Sequence, residues 1–271
     1  MTTRPSPIFL GLLVATAAAG YLCWAETFGG PNGKNNKYAV FLFVFIGWIV
    51  SLCLHEYAHA RTAYWAGDQS VEARGYLTLN PLKYVQPGLS LLFPLIFLLM
   101  GGIGLPGGAV WIRPAAIRTK WQRSVVSLAG PAANLTLGIV LSLVVRAGGD
   151  AMKTHAYFGS ALSFLALLQF TAGFLNLVPI PGLDGFGALE PHLPQGFLAS
   201  IAPYRGYSMI ILFLLATRSN TFGDLVFGNA RRAVEALGIP QFDLDGGSTA
   251  NLADVGRAVF QDAIPGRGRV L

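Results

Sequence analysis

Two histidines four residues apart flank a glutamate in the run His55-Glu56-Tyr57-Ala58-His59, at the exit end of a long apolar block. In a helix, positions i and i+4 share a face, so both imidazoles can reach one metal ion. The residue at i+1 points about 100° away, which sets Glu56 beside the ion rather than onto it. That arrangement suits a zinc site, one ion per chain, in which Glu56 deprotonates an activated water. The purely structural alternative is a polar, snorkelling helix end. Charged groups at membrane depth cost about 2.5–3.5 kcal/mol on insertion scales, which argues for function.

A catalytic zinc site takes three protein ligands and keeps one position open. The candidate for the third is Asp184, in Asn176-Leu-Val-Pro-Ile-Pro-Gly-Leu-Asp184-Gly185. Pro179 and Pro181 cannot continue a helix, so the chain leaves the preceding apolar block extended. Gly182 and Gly185 permit close approach of backbone to another element. Taken alone, the segment reads equally as a helix stop and turn with a capping aspartate. Paired with the two-histidine helix, Asp184 reads as the third ligand. Glu190 is a rival for that role, and a membrane zinc hydrolase with a different substrate would use it. A non-catalytic membrane scaffold is the rival from another class. His192 is read as a loop residue and His155 as surface. Cys23 and Cys53 lie in apolar blocks and read as core residues, with no disulfide scaffold.

The elements that must position these residues are membrane helices. Of 271 residues, 53% are hydrophobic and 12% charged, against ~25% charged in soluble domains. The apolar residues fall in blocks: Ile8 to Ala25, Ala39 to Leu54, Leu89 to Ile103, Val125 to Val145, Ala161 to Val178 and Met209 to Ala216. Spanning a bilayer takes about 20 residues. The first, second, fourth and fifth blocks reach that length with their flanks, the third is interrupted by Pro94 and a glycine cluster, and the sixth is short. The expectation is an all-α polytopic membrane protein with five to six transmembrane helices and a re-entrant or broken segment around 88–110. The first block reads as a retained helix rather than a signal peptide. Residues 1–217 form the membrane-embedded domain, and 218–271 an extramembrane tail of unknown role, partly disordered, with a short helix over Ala230 to Leu237.

Topology makes the re-entrant segment necessary. His55 and Asp184 must exit the membrane on one face to share a site, and a full span between them would put them on opposite faces. Irregular backbone at membrane depth is tolerated when protein surrounds it. With that hairpin, Arg61, Arg74, Lys83, Arg113, Arg118, Lys120 and Arg123 fall on the His55 side. The positive-inside rule then sets the site toward the cytoplasmic face, with the amino terminus inside. The same rule explains the net charge of +6 without invoking nucleic acid.

The paired motifs make the chain similar to the site-2 protease family of intramembrane zinc proteases. H-E-x-x-H matches at 55–59 and N-x-x-P-x-P-x-L-D-G at 176–185. Ser127-Leu-Ala-Gly-Pro-Ala-Ala-Asn134 resembles the family's G-P-x-x-N segment, and Leu77-Thr-Leu-Asn-Pro81 resembles one bacterial branch. The resemblance covers about residues 39 to 217. It implies a multi-pass protein of the bacterial cell membrane, with zinc on His55, His59 and Asp184 and Glu56 as general base. It further implies that Asn134 lines the site as a catalytic residue, and that the substrate is a transmembrane protein in the lipid bilayer. Without the resemblance, Asn134 reads equally as a helix-packing amide. No PDZ or CBS domain is recognisable, and the sequence leaves the oligomeric state open. Substrate helices resist cleavage until unwound; Gly101 to Gly108, or an extended chain near Gly75 to Pro81, could pair with the unwound strand.

Overall fold

The computed structural model describes residues 4–26, 37–84, 110–239, 242–243 and 249–250. Apart from a two-residue antiparallel ladder, Phe242–Asp243 with Thr249–Ala250, the described elements are helical. They are α1 (Pro7–Trp24), α2 (Lys37–Ala66), α3 (Ser70–Ala73), α4 (Pro81–Tyr84), α5 (Lys120–Thr154), α6 (Ala156–Asn176), α7 (Asp184–Leu189), α8 (Gln195–Ile201), α9 (Ser208–Arg218), α10 (Asn220–Gly223) and α11 (Asn229–Ala236).

Among the described residues, α1, α2, α5 and α6 are long and apolar enough to cross a membrane. The sixth apolar block forms α9, whose 11 residues reach about 16 Å against a hydrocarbon core of about 30 Å. The segment expected to be re-entrant, around 88–110, lies outside the described residues except for Val110. The chain near Gly75 to Pro81 is not extended: Tyr76–Thr78 is a 3-10 turn between left-handed Gly75 and Leu79, and α4 begins at Pro81. The Tyr84 hydroxyl closes this turn by donating to the Tyr76 carbonyl at 2.6 Å.

Helix α6 is the centre of the bundle. It is buried on every face from Gly159 to Asn176, with only Leu167 and Phe174 less covered. Its sequence is apolar all round, which is what a helix wrapped by others requires. By contrast α1 and α5 expose Ile8, Leu13, Val14, Ile139, Val140, Leu143 and Val144, an apolar exterior suited to lipid. Small residues bring α5 and α6 together: a β-carbon on Gly138 would stand 3.0 Å from the Phe170 ring, and one on Gly173 would stand 2.7 Å from Leu135. Such close approach is how helices associate where hydrocarbon surrounds them. Across α2 and α6, the buried Gln169 amide donates to Ser51 Oγ at 2.9 Å, a bond worth roughly 0.6–2 kcal/mol in a bilayer.

One end of the bundle gathers the start of α1, the end of α2, the start of α5 and the chain after α6. The Ser6 N–H donates to the Thr78 carbonyl at 2.7 Å, and Phe9, Cys53, Ala60, Ala63, Val71, Tyr76, Tyr84 and Val126 share one apolar cluster. At the other end, Trp24 stacks on His155 at 3.7 Å. Past residue 217, α11 forms where a short helix is expected and lays Ala230 and Val234 against Phe170.

Candidate metal centre

His55 and His59 lie one turn apart in the second half of α2, both buried. Long helical side chains lean toward the preceding turn, which brings His59 back over His55. Their Nε2 atoms face each other at 3.1 Å. The third group arrives from the chain after α6. Pro179 and Pro181 end that helix, Gly182 takes φ +97, and Asp184 opens α7. Gly185 is pressed onto the turn: a β-carbon there would stand 2.1 Å from the Leu177 carbonyl oxygen. The N-cap position of α7 is Leu183, so Asp184 stands in the first turn and not at the cap. Its Oδ2 lies 3.4 Å from His55 Nε2 and its Oδ1 3.3 Å from His59 Nε2.

The three groups therefore form a triangle: the two Nε2 atoms lie 3.1 Å apart, and each lies 3.3 or 3.4 Å from a different oxygen of the Asp184 carboxylate. Ligands set tetrahedrally at about 2.0–2.1 Å from zinc lie about 3.3–3.4 Å from one another, so these separations are of the size that ligands of one zinc ion keep, and one ligand atom from each of the three residues lies within 4.8 Å of the others. The tautomer fits as well. His59 Nδ1 lies 2.7 Å from the Val126 carbonyl of α5, so it carries the proton and turns the Nε2 lone pair inward. Two inward-facing nitrogens and a carboxylate repel one another unless a cation lies between them. His55 Nδ1 is buried with no hydrogen-bond partner among the described residues.

Helix α5 supplies the wall. A β-carbon on Gly130 would stand 2.2 Å from His59 Nε2 and 2.6 Å from His55 Nε2, so glycine is required where α5 crosses the two imidazoles. Pro131 follows, lacking the N–H that would close onto the Ser127 carbonyl. Asn134 is buried one turn beyond Gly130, on the same face of α5. Glu56 is also buried and stays out of the triangle, as its i+1 position requires; its Oε2 accepts the Val110 N–H at 3.0 Å.

The other candidates fall elsewhere. Glu190 pairs with Arg205. His192 meets Ser124 Oγ at 3.0 Å, and Ser124 donates to the Ala188 carbonyl at 2.6 Å, so His192 helps tie α7 to α5. Cys53 is core. Gly130's contact with the imidazoles, the Val126 carbonyl and the Val110 N–H were not legible as site components. The G-P-x-x-N segment was the one signal that pointed at Gly130.

The model of peptidase family M50 matches residues 42–149, which include both histidines, Glu56, Gly130 and Asn134. A protein of Mycolicibacterium smegmatis, assigned by name as the zinc metalloprotease Rip2, is 48% identical over 83% of this chain and 86% of its own length. Its namesake in Mycobacterium tuberculosis is 46% identical over 83% of the chain and 86% of its own length. A Bacillus subtilis protein assigned by name as the zinc metalloprotease YwhC is 33% identical over 64% of the chain and 79% of its own length. No solved structure matches the chain.

Proposed function

The chain belongs to peptidase family M50, the site-2 protease family, and from that premise we propose that it is an intramembrane zinc endopeptidase cutting peptide bonds in or beside transmembrane segments of other membrane proteins. The observation that carries this reading is the donor triangle of His55, His59 and Asp184 at the end of a membrane-length helix.

In this reading His55 and His59 from α2 and Asp184 from α7 hold the ion. When bound there, zinc supplies a Lewis acid that polarises the scissile carbonyl and makes a water nucleophilic at neutral pH. Glu56 takes the proton of the attacking water and passes it to the leaving amine. Its carboxylate is held for that task by the Val110 N–H. Asn134 lines the site and binds the substrate backbone or the carbonyl oxygen. The Val126 carbonyl fixes the His59 tautomer, and the burial of both histidines and Glu56 keeps bulk water away. The site opens toward the cytoplasmic face. Arg61, Arg74, Arg113, Arg118, Lys120 and Arg123 lie on the chain at this end of the bundle, as the positive-inside rule asks, and the amino terminus joins them through the Ser6–Thr78 bond. Residues 1–217 are the proteolytic domain.

The test is cleavage of a model single-span protein with glycine and proline in its span, co-reconstituted in vesicles. The expected result is wild-type cleavage in or next to the span, mapped by mass spectrometry, and none with Glu56→Gln. Equal cleavage by Glu56→Gln would overturn the proposal.

A further inference from the structure

Asp68 is a buried carboxylate that the chemistry above does not use. It is 1% exposed, just beyond the end of α2. Its Oδ1 accepts the Ser70 N–H at 3.0 Å and the Ser70 hydroxyl at 2.6 Å. That half is a local turn of the kind aspartate makes anywhere. The other half is not local: Oδ2 accepts the Arg113 N–H at 2.7 Å, across 45 residues of chain. A carboxylate held by three donors is a rigid anchor, since bonds to a charged group are short and strong.

What it anchors is the segment 110–118, which runs along the end of α2. The Arg118 N–H donates to the Ala66 carbonyl at 3.3 Å, and the Arg74 guanidinium donates to the Trp111 carbonyl at 3.2 Å. Gly67, at φ +123, lets the chain pass so closely that a β-carbon there would stand 2.8 Å from the Ala116 carbonyl oxygen. The segment's first described residue, Val110, gives its N–H to Glu56. Only Trp111 and Ile112 separate that contact from the Asp68 contact at Arg113, so little slack lies between them.

We propose that Asp68 is a positioning residue for peptide hydrolysis, clamping the segment 110–118 to the end of α2 so that the Val110 N–H holds the Glu56 carboxylate in its working orientation. This rests on Glu56 being the general base. Asp68 bonds to Ser70 and Arg113 and stands outside the donor triangle; it acts through the backbone between Arg113 and Val110.

The test uses the full-length, zinc-loaded protein in detergent and in vesicles: wild type, Asp68→Ala, Asp68→Asn, Val110→Pro and the Asp68→Ala/Val110→Pro pair. Zinc content and amide hydrogen exchange over 110–118 are read without substrate, and the model single-span protein gives kcat and KM. Asp68→Ala is expected to keep its zinc, to exchange faster over 110–113 and to lose kcat about 10- to 100-fold with KM unchanged, the scale of a misplaced catalytic group. Asp68→Asn, which keeps one acceptor, should fall between. In the Val110→Pro background, where the donor is already gone, Asp68→Ala should cost nothing further. Unchanged exchange in Asp68→Ala, loss of zinc along with activity, or full additivity with Val110→Pro would each overturn the proposal. If Asp68→Ala fails to fold, Asp68→Asn and Val110→Pro carry the test. Full activity of Glu56→Gln would instead sink the functional reading, and the exchange data would still judge the clamp.

Discussion

Gly130 and His59 lie so close that a β-carbon on the first would stand 2.2 Å from Nε2 of the second. The helix carrying the wall and the helix carrying the ligands thus meet at the atom that has to face the metal. Gly130→Ala should therefore act in a way opposite to its local effect. Alanine within a helix stabilises by roughly 0.5–1 kcal/mol relative to glycine, yet here it pushes into the imidazoles. The expected outcome is intact helicity by circular dichroism with zinc content reduced at least severalfold, read by elemental analysis of purified protein.

The third ligand can be separated from its rival. Asp184→Ala should strip most of the zinc. Glu190→Gln breaks only a partly exposed pair with Arg205, worth about 0–1 kcal/mol, and should leave zinc at the wild-type level. Full zinc in Asp184→Ala would mean that the triangle is not the binding site.

Glu56 sits outside the triangle, so base and ligands should part company. Glu56→Gln is expected to retain zinc and to lose turnover by about 10²–10⁴-fold, the usual share of a positioned acid–base group. Zinc content and cleavage rate measured on one preparation decide the matter.

Gly185 is confined by backbone rather than by a side chain that could turn aside, with the Leu177 carbonyl oxygen 2.1 Å from where a β-carbon would be. Gly185→Ala should therefore shift the turn that delivers Asp184 and lower zinc affinity, whereas Gly196→Ala, which meets nothing within 4 Å, should leave it unchanged. Competition with a chromogenic chelator reads both.

Asp68 gives a pH signature. Burial alone would raise its pKa, but the Arg113 and Ser70 donors and the positive charge of Arg113 outweigh it and hold the carboxyl below the usual range. A lowered folded pKa contributes stability above the unfolded value of about 3.9 and loses it as pH falls toward the folded value. Asp68→Asn should thus melt earlier than wild type by a constant margin between pH 5 and 7, roughly, and the margin should shrink below about pH 4. A margin that stays constant down to pH 3 would contradict the assignment.

Much of the centre was written in the sequence because helix geometry is local. A rise of 1.5 Å and a turn of 3.6 residues fix His55, Glu56 and His59 relative to one another wherever α2 goes. The two prolines and two glycines around Asp184 likewise dictate a turn in any context. Membrane-length apolar blocks announced α1, α2, α5 and α6. The tertiary structure alone decided the distances between elements: that Asp184 closes the triangle, that Gly130 rather than a neighbour faces the imidazoles, and that Val126 and Val110 lend backbone groups to His59 and Glu56. The physical reason is twofold. Backbone donors and acceptors carry no sequence signature, since every residue but proline has them. Helices apolar on all sides have no polar face to reveal which side packs inward, so the pairing of α5 with α2 and α6 is settled by where small residues let them close.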